Sequence, residues 1–323
     1  GISVLIVISL MVYWNFRQKQ KANKILAHQK EEIAAQNEEL QQQNEEILTQ
    51  RNELEQQRDL ANQQKNAIAI KNSEITSSIQ YAKSIQAAVL PQDYFITKVL
   101  KDYFILFKPK DIVSGDFYWI NKKHGKVIAA AVDCTGHGVP GAFMSLLGMS
   151  LLNDIVDEMQ EVQANEILNI LRTRMIQSLH QKGLSEENRD GMDLALMVWD
   201  QEKGKIQYSG AYNPMYIVRN GKLTEYKANR MTISIQSKLD QSFTNQYIDV
   251  LPGDIVYLST DGYSDQISSK THKKMTRARF KSYLEQIGQH DLQQQKQELD
   301  NYFESWKGSY EQVDDVLIIA VMI

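Results

Sequence analysis

The segment Val127-Ile-Ala-Ala-Ala-Val-Asp-Cys-Thr-Gly-His-Gly-Val-Pro-Gly-Ala142 decides how the rest of the chain is interpreted. Its apolar beginning is too short for a helix and predicts a buried strand that ends at Asp133. A turn containing Gly136 and Gly138 follows, and Pro140 suits the first turn of a helix. That helix end attracts an anion, which Asp133 would repel unless a cation lay between them. The segment therefore indicates a site for a metal ion and a phosphate group.

The same glycines, with Gly141, match the G-x-G-x-x-G pattern of dinucleotide-binding folds. That pattern requires a parallel strand after the helix, with an acidic residue at its end. Here the helix is predicted to extend to about Met159, and residues 164–182 are predicted to form a second helix. Asp157, the acid at the expected distance, would then lie within a helix, so nucleotide binding is the weaker alternative. The first helix is expected to bury one apolar face, formed by Phe143, Leu147, Leu151 and Ile155.

Composition narrows the class of protein. The chain has 323 residues and a net charge of −4, which gives no reason to expect nucleic acid as a partner. Its single cysteine, Cys134, argues against a disulfide framework and is typical of a reducing compartment. The histidines are scattered, without the spacing of a zinc site.

The first residues are apolar, and a basic cluster follows them. We expect residues 1–16 to be the C-terminal part of a transmembrane helix that is too short to span a bilayer alone. The basic residues from Arg17 to Lys24 would place everything downstream in the cytoplasm, at the cytoplasmic membrane. A short buried helix or a signal remnant is the alternative.

Residues 17–72 are rich in Gln, Asn, Glu, Lys and Arg, and an apolar residue recurs every seventh position from Ile33 onward. This repeat predicts a left-handed coiled coil. With the apolar residues at d, the a positions include Asn37 and Asn44, and such polar a residues favour a parallel homodimer. A disordered linker and a single solvated helix are the alternatives.

Residues 73–91 continue the same register but are more apolar, and Pro91 ends the helix. Additional apolar residues, at Ile79, Tyr81, Ile85 and Ala88, provide surface for two faces. One face would pack on the twin helix and the other on the globular domain. We therefore predict a linker helix that acts as a switch between two packings, with a passive coil end as the alternative.

Residues 92–323 are predicted to be globular. Apolar runs predict strands at 103–107, 117–120, 194–199, 205–209, 254–260 and 316–321. The Asn220-Gly221 turn predicts a hairpin of 215–218 with 223–226, and residues 276–306 are predicted to be helical. Strands and helices are segregated rather than alternating, which favours an α+β layered fold.

Acidic residues stand at the ends or beginnings of four predicted strands: Asp116, Asp133, Asp261 and the pair Asp314-Asp315. One such residue is usually part of a turn, but several carboxylates brought together repel one another unless cations neutralise them. Oxygen ligands without His or Cys select hard ions, Mg²⁺ or Mn²⁺. Two such ions can orient and deprotonate a bridging water for in-line attack on phosphorus.

Five segments carry a resemblance to a known family, and they are Lys110–Tyr118, Asp133–Ala142, Tyr208–Ala211, Ser259–Asp265 and Asp314–Val316. In this order they resemble the SpoIIE/RsbU-type bacterial serine/threonine phosphatases of the metal-dependent PPM (PP2C-like) family. The resemblance extends from about residue 79 to 323. It implies a PP2C-like layered β-sandwich flanked by helices, here preceded by a long coiled-coil helix, with two Mn²⁺ or Mg²⁺ ions at one end.

The resemblance also implies a set of metal ligands. Asp133 would bridge both ions, and the carbonyl of Cys134 would complete one coordination shell. Asp261 and Asp314 would hold one ion, and Asp116 would bind near the other, directly or through water.

Other roles follow from the same resemblance. His137 resembles the histidine proposed as the general acid in PP2C enzymes, with a solvent-facing loop residue as the alternative. Asp315 would orient its neighbours. Asp193 belongs to a pattern of this branch but receives no firm role.

Four positions depart from the family pattern: Tyr212, Asn229, Thr232 and Ser234. They lie outside the metal set, so they put substrate contacts and loop shape in doubt more than catalysis. The sequence as a whole predicts a membrane-tethered, dimeric phosphatase for phosphoserine or phosphothreonine, whose substrate would be a phosphorylated anti-sigma-factor antagonist of STAS type. A non-catalytic module that keeps the fold and binds partners is the alternative.

Overall fold

The computed structural model describes residues 1–182, 190–235 and 241–323. It contains two compact units, Gly1–Ile75 and Thr76–Ile323. The first unit is part of one uninterrupted helix, α1 (Ile2–Val89), and all of its residues are exposed in the single chain. Its heptad residues, Leu40 and Ile47 among them, therefore lie in solvent.

The second unit contains the end of α1 and the remaining elements. Its helices are α2 (Asp93–Val99), α3 (Gly138–Glu158), α4 (Ala164–Ser178), α5 (Gly262–Asp265), α6 (Arg277–Ile287) and α7 (Leu292–Lys307). Its strands are β1 (Tyr103–Lys108), β2 (Phe117–Lys123), β3 (Lys126–Cys134), β4 (Met192–Asp200), β5 (Lys205–Ala211), β6 (Met215–Arg219), β7 (Lys222–Tyr226), β8 (Gln246–Asp249), β9 (Ile255–Ser259) and β10 (Val316–Met322).

The strands form two sheets, with the orders β1-β10-β9-β6-β7 and β2-β3-β4-β5-β8. All ladders between these strands are antiparallel. β4, the strand that follows α3 and α4, pairs antiparallel with β3. A dinucleotide-binding βαβ unit needs parallel strands, so this alternative is excluded, and the predicted α+β layered fold is confirmed.

Apolar cores join the layers of this unit. One core lies between α3–α4 and the sheet that contains β3, another lies between the two sheets, and a third lies under α6 and α7. Alternate residues of β3 serve different cores: Ile128 and Val132 face the helices, whereas Ala129 and Ala131 face the other sheet. A strand buried on both sides is continuously apolar, as the sequence of β3 is.

The predicted apolar face of α3 is confirmed only in part. Ile155 is buried as expected, but Phe143 is 70% exposed, and the buried face also runs through Met144, Gly148 and Leu152. Gly148 allows the helix to approach the sheet, because a Cβ there would lie 2.8 Å from the Met192 side chain. A small residue at this position therefore helps to decide which face of the helix turns inward.

The other differences from prediction are local. The helix expected over 276–306 is divided into α6 and α7, because Asp291 caps α7 by accepting hydrogen bonds from the amides of Gln293 and Gln294 at 3.0 and 2.9 Å. The short elements α2, α5 and β8 were not predicted. Within the described ranges, α3 is the one helix long and apolar enough to cross a membrane, but 56% of its apolar stretch is buried in this core.

Candidate active site

The predicted acids meet at one end of the two sheets. Asp133 continues the alternation of Ala129 and Ala131, which places its side chain on the face between the sheets. Asp193 lies directly opposite Asp133 on the neighbouring strand. Asp261 follows β9, and Asp314 precedes β10, which is the neighbour of β9 in the other sheet.

Electrostatics show that these acids form one cluster. Burial raises the pKa of Asp133 well above its ordinary value, and the charges of Asp116, Asp261, Asp314 and Asp193 raise it further. Asp133 keeps part of its surface open to the cleft, but the surrounding protein atoms are dense enough for desolvation to dominate. The pKa of Asp116 is raised by burial and by Asp315, Asp314 and Asp261, against a lowering hydrogen bond with Thr260.

Asp315 fixes the loop that carries Asp116. It is 2% exposed, and its carboxylate accepts hydrogen bonds from the amides of Lys110 and Gly115, both at 2.7 Å, and from the amide of Asp116 at 3.4 Å. Backbone N–H donors stabilise a buried carboxylate, and here the carboxylate of Asp315 in turn holds these amides in place. This geometry agrees with an orienting role.

Two glycines of the organising segment allow backbone segments to touch at the site. A Cβ on Gly141 would lie 2.8 Å from the Cα of Gly115 and would overlap the carbonyl oxygen of Gly136. Gly136 itself has a φ of +84°, which side chains rarely adopt. The glycines of the G-x-G-x-x-G pattern therefore allow the N-terminus of α3 and the Asp116 loop to pack closely against the end of β3.

A cleft of about 340 Å³ opens beside the cluster. It is lined by Asp133, Cys134, Thr135, Gly136, His137, Met192, Asp193, Thr232 and Asp314. His137 is the N-cap of α3, and its Nδ1 lies 2.6 Å from Oδ2 of Asp111. Both predicted catalytic residues, Asp133 and His137, therefore face the same cleft.

Two further predicted ligands, Cys134 and Asp261, lie at the ends of neighbouring elements. Cys134 is buried, and its carbonyl oxygen would be 3.3 Å from a Cβ on Gly115, so it lies beside the Asp116 loop. Asp261 is the N-cap of the short helix α5. Residue-level reasoning missed Asp111, and no spacing or composition signal distinguished it from an ordinary loop acid.

The chemistry of these groups fits a hard divalent cation. Among the described residues, no three side chains of His, Cys, Asp or Glu are close enough together to form a complete metal site. However, Oδ2 of Asp116 and Oδ1 of Asp193 are buried without a hydrogen-bond partner. Buried carboxylates that raise one another's pKa, with free oxygen atoms between them, are the donors that Mg²⁺ and Mn²⁺ prefer.

The positions that depart from the family pattern border this site. The Thr232 hydroxyl donates to the carbonyl of Met192 at 2.9 Å and lines the cleft. Asn229 accepts from the amide of Tyr212 through its carbonyl at 3.0 Å, and Tyr212 has a φ of +56°. Ser234 is buried. These residues shape one wall and its rim.

The end of α1 reaches the same loop. Gln86 is 6% exposed, and its Nε2 donates to the Ser114 carbonyl at 2.6 Å and to the Ser145 hydroxyl at 2.8 Å. Its Oε1 accepts from the Ser114 amide at 3.1 Å. By contrast, Tyr81 and Ile85 are 71% and 44% exposed. A polar residue therefore makes the contact with this loop, while Tyr81 and Ile85 stay exposed in the single chain.

Comparisons with known proteins agree with this geometry. The family model described as "Stage II sporulation protein E (SpoIIE)" matches residues 123–323. The chain is similar to the SiaA PP2C domain of Pseudomonas aeruginosa, with a TM-score of 0.70 and 29% identity over 78% of this chain and 98% of that one. No curated protein matches this sequence.

Two further solved structures share the fold. A structure of the PP2C phosphatase domain and a fragment of the regulatory domain of SpoIIE from Bacillus subtilis has a TM-score of 0.56 and 16% identity, over 68% of this chain and 61% of that one. A structure of the RsbU and RsbW domains of a Mycobacterium tuberculosis protein has a TM-score of 0.54 and 17% identity, over 68% of this chain and 59% of that one.

Proposed function

We propose that the acidic cluster holds two Mn²⁺ or Mg²⁺ ions, since this chain belongs to the SpoIIE family of PP2C-type phosphatases. The chain is a metal-dependent protein serine/threonine phosphatase. The ligands in this proposal are Asp116, Asp133, Asp261, Asp314 and the carbonyl of Cys134. The observation that carries it is the cluster of carboxylates that raise one another's pKa at the end of the sheets.

Bound ions would supply a water that is oriented and deprotonated for in-line attack on the phosphorus of phosphoserine or phosphothreonine. The protein residues have separate tasks. Asp133 is affected by the charges of four other acids, so its central place suits a bridging ligand. Asp315 holds the Asp116 loop in position through backbone amides. His137 donates a proton to the oxygen of the leaving serine or threonine.

The substrate in this proposal is a phosphorylated regulatory protein, an anti-sigma-factor antagonist of STAS type. Support comes from the family and from a structural neighbour in which an RsbU domain occurs together with an RsbW domain. The open cleft beside His137 can receive a side chain presented by another protein. No feature of the described site favours the non-catalytic alternative.

The N-terminal residues have three further roles in the proposal. Residues 1–16 anchor the protein in the cytoplasmic membrane, a role supported by their apolar composition and by the basic residues from Arg17 to Lys24 that follow them. Residues 17–72 form a parallel coiled-coil homodimer, which would cover the exposed heptad residues such as Leu40. Residues 92–323 are the phosphatase domain in the cytoplasm.

Residues 73–91 are the switch. In the heptad register, Ile79 and Gln86 occupy a positions and Ala82 occupies a d position. Ile79 and Ala82 are half-buried, and Gln86 is buried against the Ser114 loop. An a position that would face the twin helix earlier in the coil is therefore used here to contact the phosphatase domain. Extension of the paired coil through this segment requires release of Gln86 from Ser114, which lies two residues before Asp116.

The test of the proposed function measures hydrolysis of a phosphoserine peptide by the full chain with and without Mn²⁺. We expect turnover to require the ion and to disappear in Asp133→Asn, since Asn keeps the size but removes the charge. The matched control is Asp249→Asn, on the edge strand β8. Anomalous scattering from Mn²⁺-soaked crystals should show two ions at the cluster. A folded Asp133→Asn protein with undiminished Mn²⁺-dependent turnover would refute the assignment.

A further inference from the structure

Asp111 and His137 form a contact that the metal site does not explain. Oδ2 of Asp111 lies 2.6 Å from Nδ1 of His137, and the two side chains are 44% and 51% exposed. An ion pair this open to water contributes little to folding stability. The contact is therefore better explained by what it does to the imidazole ring than by what it adds to the fold.

The loops on both sides hold this pair in place. His137 lies between Gly136 and Gly138, whose φ angles are +84° and +62°, so the backbone direction at the histidine is set by residues that accept a left-handed conformation. A Cβ on Gly138 would lie 3.1 Å from Oδ2 of Asp111. Glycine at this position leaves the carboxylate room to approach the ring.

Asp111 is itself anchored. The amide of the preceding residue, Lys110, donates to Oδ1 of Asp315, and the amide of Gly115, at the far end of the same loop, donates to Oδ2. Asp315 therefore places both Asp111 and Asp116. One buried carboxylate thus links the ring of His137 to the acidic cluster.

We infer that Asp111 is a positioning residue for His137: its carboxylate accepts the Nδ1 hydrogen, orients the ring at the cleft, and leaves the Nε2 hydrogen for the leaving oxygen. Nδ1 bonded to a carboxylate fixes which nitrogen carries the transferable proton. The inference rests on the proposed function, because it gives His137 the role of general acid.

The proton balance of the step is simple. The bond between phosphorus and the serine or threonine oxygen breaks, and a new bond forms between phosphorus and the oxygen of water, which loses one proton to solvent. The leaving oxygen takes the Nε2 proton of the imidazolium. The ring is then neutral, with its hydrogen on Nδ1 facing Asp111, and a proton from solvent restores the imidazolium.

The kinetic test uses two substrates of the full chain in Mn²⁺: a phosphoserine peptide, whose leaving oxygen needs a proton, and p-nitrophenyl phosphate, whose leaving group does not. We expect Asp111→Asn to lower kcat for the peptide at least about tenfold with KM unchanged, and to alter p-nitrophenyl phosphate turnover less than about twofold. His137→Gln should show the same selectivity, Asp111→Glu should recover part of the loss, and Asp249→Asn should change neither substrate.

A second readout does not depend on bound metal. In the full chain labelled with ¹⁵N-histidine and kept in EDTA, the His137 signals are assigned by their loss in His137→Gln. We expect the neutral ring to carry its hydrogen on Nδ1, and Asp111→Asn to move a large fraction of it to Nε2, because the Asn amide donates where the carboxylate accepted.

Several outcomes would overturn the inference. They are equal loss on both substrates in Asp111→Asn, no loss on the peptide, an unchanged tautomer, or a His137→Gln variant without substrate selectivity. Asp133→Asn separates this failure from that of the proposed function. If Asp133→Asn is inactive and Asp111→Asn is not selective, only the positioning role is wrong; if Asp133→Asn is fully active, the metal assignment fails first.

Discussion

In residues 1–75, apolar side chains such as Leu40 and Ile47 lie in solvent, whereas in residues 76–323 carboxylates such as Asp116 are enclosed by protein. Both arrangements are unfavourable in an isolated chain, for opposite reasons. Exposed apolar surface favours association, and enclosed like charges favour cations or protons. The two units therefore need different binding partners to be stable. We propose that the first unit pairs with a second helix and that the second unit binds divalent ions.

The largest effect is expected where a charge is removed from the centre of the cluster. Asp261→Asn and Asp314→Asn should lower Mn²⁺-dependent turnover about 10³-fold or more, since two dications need the charge of these acids. Asp265→Asn is the matched comparison, because that carboxylate pairs with Lys274 at 2.7 Å. We expect Asp265→Asn to lower the rate far less. Equal losses in all three variants would mean that charge near the cluster, rather than ligation, is what matters.

The second prediction concerns the stability of the metal-free protein. Burial raises the pKa of Asp193 to about 6, whereas an Asp in the unfolded chain has a pKa of about 4. Between these pH values the folded state binds a proton that the unfolded state does not. The contribution of Asp193 to stability is therefore fully present below about pH 4 and is lost as the pH rises through about 6.

Asp193→Asn should remove this dependence. In EDTA at pH 7, we expect the variant to be more stable than the parent by roughly 1–3 kcal/mol, a difference that shrinks towards pH 4. Urea unfolding at several pH values measures it, and Asp249→Asn is the control. A constant difference between parent and variant across this pH range would contradict a raised pKa at Asp193.

The third prediction addresses the helical unit. Replacing Asn37 and Asn44 together by Ile should stabilise the coil by roughly 1–3 kcal/mol for each buried side chain. It should also reduce the specificity for the dimer, so that larger oligomers form. Thermal unfolding and sedimentation of residues 17–90 measure both effects. A parent fragment that sediments as a monomer at micromolar concentration would contradict the dimer. Cross-linking of a Cys placed at Leu40 reports whether the two helices are parallel and in register.

The smallest effect is expected at the end of α1, within the second unit. Gln86→Ala should change turnover or Mn²⁺ affinity of the full chain several-fold, because it removes the hydrogen bonds to Ser114 near the Asp116 loop. Tyr81→Ala is the matched control, since Tyr81 is 71% exposed on the same helix. If the two variants have the same turnover and the same affinity, the segment only tethers.

Much of the fold could be predicted because its signals are local. The apolar run of β3, the turn at Asn220-Gly221 and the strand of β10 each show their character within a few residues. The Asn220-Gly221 turn has φ angles of +50° and +75°, as a two-residue hairpin requires. The inward face of α3 could not be predicted in this way, because it depends on Gly148 meeting Met192 from a distant strand.

In the site, too, residues with a local sequence signal could be predicted, and residues whose role depends on distant contacts could not. The acids of the cluster could be found because each stands at the end of an apolar strand. Asp111 and Gln86 could not, because their roles come from partners 26 and 28 residues away in loops. A loop acid and a helix glutamine look ordinary until the fold brings His137 and Ser114 beside them.

In the switch that we propose, Gln86 also sets how strong a stimulus must be. Its release leaves the amide and the carbonyl of Ser114, which is fully buried, without their partner. A buried backbone group without a partner costs about 1–3 kcal/mol, so the released state lies roughly 2–6 kcal/mol above the docked one. At such a gap, the released state has a population between a few per cent and well under one per cent. Under this proposal, thermal fluctuation alone seldom releases the helix, and an activating input would have to supply free energy of that size.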